Sequence, residues 1–294
     1  MADSSPRPGL DVTRDEPLPV GKWEAFEQRH GLLVRVVSAL ALGALVIAAI
    51  VFGGWPHVVL WSVGAIGIFC EWTRVISNAQ PPALIVGVGA LAVVGLLAGG
   101  GLFWAALVVL FIGMVGVFAL TGLRLWAAAG LVYAAPVLLG PVVLRDDPQY
   151  GIVALIFLCA VVWSTDTLAY FAGRSCGGPK LAPILSPKKT WSGAVGGILG
   201  GVAAGIGVAA LFNLPNSLAA VCLALLLSVV SQAGDLLESA IKRHFGVKDS
   251  SHVIPGHGGL MDRLDGFLVA AGVAAIIGIG RGGTDHPATG LFIW

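Results

Sequence analysis

Long apolar runs alternate with short polar breaks along the whole chain. A membrane-spanning helix needs roughly 20 mainly apolar residues. Nine stretches meet that need: about 33–53, 56–76, 82–99, 101–121, 125–144, 150–172, 193–213, 216–236 and 264–281. Only Gly99-Gly100-Gly101 separates the third from the fourth. The pattern predicts an all-α, polytopic membrane protein. Residues 22–33 are more polar, with Trp23 and Phe26 three apart among charges. They fit either a short helix lying in the interface or a polar tail. No internal repeat of fixed period stands out.

Positive charge orients these spans, because Lys and Arg collect on the cytoplasmic side of short loops. With the N-terminus inside, Arg7, Arg14, Lys22, Arg29, Arg35, Arg74, Arg124, Arg174, Lys180, Lys188, Lys189, Lys242, Arg243, Lys248 and Arg263 fall at the inner side, and only Arg145 and Arg281 fall outside. The reading therefore divides the chain into a cytoplasmic tail (1–32), a first set of membrane helices (33–149) and a C-terminal catalytic part (150–294). Two long polar segments, about 173–192 and 237–263, lie in the cytoplasm.

Composition sharpens the picture. Hydrophobic residues make up 57%, charged ones 11%, and mean hydropathy is +0.91. Soluble domains carry about 25% charged residues, so lipid is the solvent for most of this surface. A net charge of +1 gives no reason to expect a nucleic-acid partner. Cys70, Cys159, Cys176 and Cys222 are scattered and predict no disulfide framework. The polar N-terminus lacks the pattern of a cleavable signal peptide.

Both long inner segments carry candidate chemistry. In the first, Asp166 sits inside a span, where an ionisable group is either functional or paired with a neighbouring helix. Lys188 and Lys189 precede a glycine-bearing helix start, which suits an anion; topology marking or lipid headgroups would also account for them. In the second, Asp235, Ser239 and Lys242 fall at i, i+4 and i+7 on one helix face, with Glu238 close by. Asp262 and Asp265 are three apart at the start of the last span. Carboxylates at two helix ends suit Mg²⁺, which takes oxygen ligands and shares substrate phosphates. Lys242, Arg243, Lys248 and Arg263 would offset phosphate charge, and the glycines of "PGHGG" would let backbone N–H groups approach an anion. His244, His252 and His257 lack usual zinc spacing. His257, between glycines, reads as a phosphate or structural hydrogen bonder.

These residues resemble a known family, the phosphatidate cytidylyltransferases or CDP-diacylglycerol synthases. The family's C-terminal signature is matched by Ser239, Lys242, Arg243, Lys248, Asp249, Pro255, His257, Gly258, Gly259, Asp262, Arg263 and Asp265. "DTLAYFAGR", "LSPKKTW" and Glu71-Trp72 are similar as well. The strong resemblance covers about 150–266; the first 120 residues resemble the family mainly in hydropathy. One departure is Ser192, where many members carry Glu.

The resemblance implies an all-helical membrane homodimer with a polar cavity open to the cytoplasm, set in a bacterial inner membrane. It implies transfer of CMP from CTP to phosphatidic acid, with Mg²⁺ as cofactor, and leaves a second, monovalent cation open. Asp235 and Asp262 look like its metal ligands, with Asp265 supporting and Lys248 in the catalytic set. Ser239, Lys242, Arg243, His257, Gly258, Gly259, Arg263, Lys188 and Lys189 are the candidate substrate contacts. Nothing in the chain resembles a P-loop or a GxGxxG fold that would hold the triphosphate. A CTP-dependent polyprenol kinase and a transporter with a cytoplasmic cation site are the competing readings.

Overall fold

The structure, a computed structural model, describes residues 22–77, 80–251 and 258–294, with side chains from Val36 onward. Nine helices follow in order: α1 (Lys22–Phe52), α2 (Gly54–Val75), α3 (Pro81–Gly99), α4 (Phe103–Leu120), α5 (Leu125–Asp146), α6 (Gly151–Cys176), α7 (Trp191–Leu211), α8 (Ser217–His244) and α9 (Met261–Gly282). A short α10 (Pro287–Phe292) packs back onto α9. Among the described residues, α2 to α9 are eight helices long and apolar enough to cross a membrane, and α1 contributes the shorter apolar segment Val36–Phe52. This is an integral membrane protein built almost wholly of α-helix.

The expected spans and the observed helices agree, including the break between the third and fourth. There the chain turns through Gly101 at φ 77°, a conformation glycine adopts without steric cost. Three features differ from expectation. Residues 22–33 are neither a separate interfacial helix nor a tail, because their backbone is the first turns of α1. Residues 173–192, read as a polar loop, contain an antiparallel hairpin of β1 (Lys180–Ala182) and β2 (Ser186–Thr190), with Lys180 opposite Thr190. The eighth helix runs on to His244, eight residues past its apolar stretch, because one side of its last turns faces a polar pocket.

α5 is the central helix, with Leu131, Ala134, Val137, Leu138 and Leu144 fully buried. α6 and α7 approach closely because α7 places glycine where they meet. A Cβ on Gly197 would stand 2.9 Å from the Thr165 carbonyl, and one on Gly193 2.8 Å from that of Ala169. This is the small-residue packing of membrane helices.

The short connections bring the chain alternately to two ends. Arg145 and Arg281, the two arginines expected outside, lie together at one end and cap carbonyls there. Arg145 Nε donates to Ile50 O at 2.6 Å, and Arg281 Nε to Gly290 O at 3.1 Å. At that end Asp147 joins the α5–α6 turn to α10, accepting from the backbone N–H groups of Gln149, Tyr150 and Thr289. Burial alone would raise its carboxyl pKa, but these donors hold it below the usual carboxylate range. A carboxylate depressed in the folded state stabilises above its unfolded pKa and loses that contribution as pH falls through the folded value. The thermal midpoint in detergent should therefore fall as pH drops below about 4, and Asp147→Asn should reduce that dependence.

Candidate active site

Opposite that end, the last turns of α6 and α8, the first turns of α7 and α9, and the hairpin enclose a polar pocket of about 740 Å³. Local sequence explains the walls. Thr190 ends β2 and caps α7, its Oγ1 accepting from Gly193 N at 3.1 Å. Lys188 and Lys189 are thereby set just before a helix N-terminus, whose N–H groups add partial positive charge. α8 turns Gln232, Asp235, Glu238, Ser239 and Lys242 into the pocket, as the i, i+4, i+7 spacing predicted for three of them. Five carboxylates (Asp166, Asp235, Glu238, Asp262, Asp265) and six cations (Arg174, Lys180, Lys188, Lys189, Lys242, Arg263) line it.

The charges fall into two groups. In one, Lys242 Nζ lies 2.7 Å from Glu238 Oε1 and 2.6 Å from Asp262 Oδ1. Glu238 is almost fully buried, so Lys242 is the partner its carboxyl finds in place of water. In the other, Asp166, Asp235 and Asp265 sit near enough to repel one another. Lys189 forms an ion pair with Asp235, and Lys189 and Arg263 offset part of the repulsion at Asp166.

A bracket beneath the pocket fixes the start of α9. Glu71, on α2, is 2% exposed. Its carboxylate accepts from Leu260 N at 2.9 Å and Met261 N at 2.7 Å, and from the hydroxyls of Ser250 and Ser251. Asp262 Oδ2 accepts from Ser250 N, Ser250 Oγ and Gly259 N at 3.0–3.2 Å. The two carboxylates thus satisfy N–H groups that a helix start leaves without partners. Gly259 is sealed between them: a Cβ there would overlap Ser250 Oγ and stand 2.7 Å from Glu71 Oε2.

Of the sequence-predicted residues, Asp235, Asp262, Asp265, Ser239, Lys242, Arg263, Lys188 and Lys189 line the pocket, and Asp166 joins them. Gly258 and Gly259 lie against Asp262 at its edge. Arg243 and Lys248 are exposed and outside the lining; Arg243 donates to Val247 O at 3.1 Å and closes the end of α8. His252 and His257 lie outside the described residues. Two assignments change in kind. Lys242 is bonded to two carboxylates and sits in the wall. Asp262, expected as a metal ligand, has both oxygens engaged by Lys242, Ser250 and Gly259. Glu71 was missed as a site residue, although a charge inside an apolar span is the same signal that marked Asp166. Ser192, the departure from the expected family pattern, hydrogen-bonds Thr190 Oγ1 at 3.0 Å and donates to Gly177 O, tying the hairpin to α7.

A helical membrane protein that gathers carboxylates and cations in a pocket at one end of its bundle is suited to an enzyme acting on a polyanion. The sequence matches the profile of the Cytidylyltransferase family over residues 33–279. It is 41% identical to a phosphatidate cytidylyltransferase of Brucella suis over 265 residues, covering 89% of this chain and 98% of that protein. Against the phosphatidate cytidylyltransferase of Bacillus subtilis it is 45% identical over 130 residues, 42% of this chain and 47% of that one. The chain belongs to the cytidylyltransferase family, and it is a nucleotidyltransferase.

Proposed function

We infer that this protein transfers the cytidylyl group of CTP to phosphatidate, giving CDP-diacylglycerol and pyrophosphate. The observation that carries this reading is the pocket: a polyanion site built from helix ends, in a chain of this family. A phosphatidate phosphate oxygen, already ionised at neutral pH, attacks the α-phosphorus of CTP. The bond from that phosphorus to the bridging oxygen breaks, and pyrophosphate leaves. No strong base is required, so catalysis is positioning and charge stabilisation. Lys188, Lys189 and the α7 N-terminus face the triphosphate, and Arg263 flanks it from α9.

Asp235 and Asp265, with Asp166 beside them, fit Mg²⁺ better than Asp262 does, because their mutual repulsion favours a cation. Among the described residues no three His, Cys, Asp or Glu side chains close into a metal cage, and Mg²⁺ shared with substrate phosphates does not need one. When bound, it would neutralise charge on the triphosphate and ease departure of pyrophosphate. The inward charge bias supports a pocket facing the cytoplasm of a bacterial inner membrane. A homodimer belongs to the same proposal and is read out by the mass of the solubilised protein.

The deciding assay mixes purified protein with CTP, phosphatidate and Mg²⁺ and follows pyrophosphate and the CDP-lipid. Release of CDP in place of pyrophosphate would mean a lipid kinase, and ion flux without turnover a transporter. Within the site, Lys189→Met should lower kcat/KM for CTP at least tenfold, since a charge-assisted hydrogen bond is worth about 1.5–3 kcal/mol. Lys248→Met should stay within about threefold, as exposed substitutions usually do. Equal effects at both would move the triphosphate away from the hairpin.

A further inference from the structure

A second cavity, of about 810 Å³, lies between α2, α4, α5, α8 and α9. Its volume falls within the roughly 300–1,000 Å³ of small-molecule sites. Its lining residues are apolar apart from Trp72 and Tyr133, which each carry one polar atom. The indole N–H is already committed, donating to Trp126 O at 2.8 Å. The Tyr133 hydroxyl is buried and has no hydrogen-bond partner among the described residues. A phenol in such a place costs free energy unless something accepts from it. CTP would find nothing here to meet its charges.

The position of the cavity narrows its occupant. α8 presents Asp235, Glu238, Ser239 and Lys242 to the polar pocket, and Leu237 and Ile241 to this cavity. α9 gives Asp262 and Asp265 to the first, and Leu268, Val269, Gly272, Val273 and Ile276 to the second. The two spaces share a wall, and along α9 the apolar one continues where the polar one stops. Tyr133 stands at this junction: its ring packs on Trp72 at 4.9 Å, and acidic groups of the polar pocket, Asp265 and Glu238 foremost, act on it. A ligand with an anionic head in the first pocket, an ester carbonyl at the junction and a hydrocarbon tail beyond would satisfy all three environments.

We propose that this cavity seats an acyl chain of the diacyl phosphate substrate, with Tyr133 Oη donating to its ester carbonyl. The proposal rests on the reading of the polar pocket as a phosphatidate site, and its test separates the two. Wild-type protein turning over short-chain dihexanoyl phosphatidate with CTP would establish the polar site by itself. Tyr133→Phe should then raise KM for dioleoyl phosphatidate about 2- to 10-fold, the worth of one neutral hydrogen bond, and leave KM for CTP unchanged. Filling the cavity with Ala129→Leu should raise the dioleoyl KM at least fivefold while the dihexanoyl KM stays within twofold. A diazirine-bearing long-chain phosphatidate should label lining residues such as Val132 and Ile276. Unlabelled phosphatidate should compete, and phosphatidylcholine should not. Equal KM changes for both chain lengths would overturn the proposal, as would unchanged KM in both variants or labelling that phosphatidylcholine competes away, which means bulk lipid. A smaller particle mass in detergent for Ala129→Leu would assign the cavity to a second copy of the chain and overturn it too.

Discussion

Asp235→Asn is expected to cut turnover at least a hundredfold while the protein stays folded. Asp235 lies where three carboxylates crowd one another and pairs with Lys189 from the hairpin. Asparagine keeps the size but removes the charge, so the site would lose the metal ligand proposed above and Lys189 its anchor. A hundredfold is about 2.7 kcal/mol of transition-state stabilisation. The side chain is about one-third exposed, so its removal strands no deeply buried group and the thermal midpoint should barely move. The partnership can be tested directly. If Asp235 and Lys189 act together, Asp235→Asn combined with Lys189→Met should lose much less than the product of the single losses. Near-normal turnover in Asp235→Asn would remove this residue from the metal and substrate set, and independent losses would separate it from Lys189.

Hydropathy alone made the helices legible. A lipid-facing segment must satisfy its own backbone and stay apolar for about 20 residues, so nine apolar stretches appear in the chain as written, of which eight are long apolar helices in the structure and the first is the shorter Val36–Phe52 segment. Much of the site was legible for a related reason. Asp235, Ser239 and Lys242 are polar at helical spacing where the surroundings are apolar, and the structure brings them to one pocket. What stayed hidden was partnership. Nothing in the spacing says that Lys242 is held by Glu238 and Asp262, or that Asp262 is already engaged by Ser250 and Gly259. Those bonds join residues 12 or more apart, except for the pairs within one helix turn. The hairpin was hidden too, because its strands of three and five residues are too short to show an alternating pattern.

The bracket around Glu71 carries the other large expected effect, and it acts on the site without touching substrate. Glu71→Ala leaves two backbone N–H groups at the start of α9 without their acceptor and takes one acceptor from the Ser250 and Ser251 hydroxyls. Each buried group so stranded costs about 1–3 kcal/mol, a large share of the roughly 5–15 kcal/mol that holds a folded domain together. A marked fall in thermal stability is expected, with turnover lost as Asp262 and Asp265 move from their places. Glu71→Gln should fall between, because its amide retains one acceptor oxygen and turns an N–H₂ toward donors. Gly259→Ala attacks the same bracket from the opposite side, by steric overlap with Ser250 and Glu71. If the bracket is one unit, Glu71→Gln and Gly259→Ala together should cost little more than the worse of the two, in both thermal midpoint and kcat. Additive losses would mean that Glu71 supports α9 and Gly259 supports the loop independently, and that the pocket's geometry does not depend on their contact.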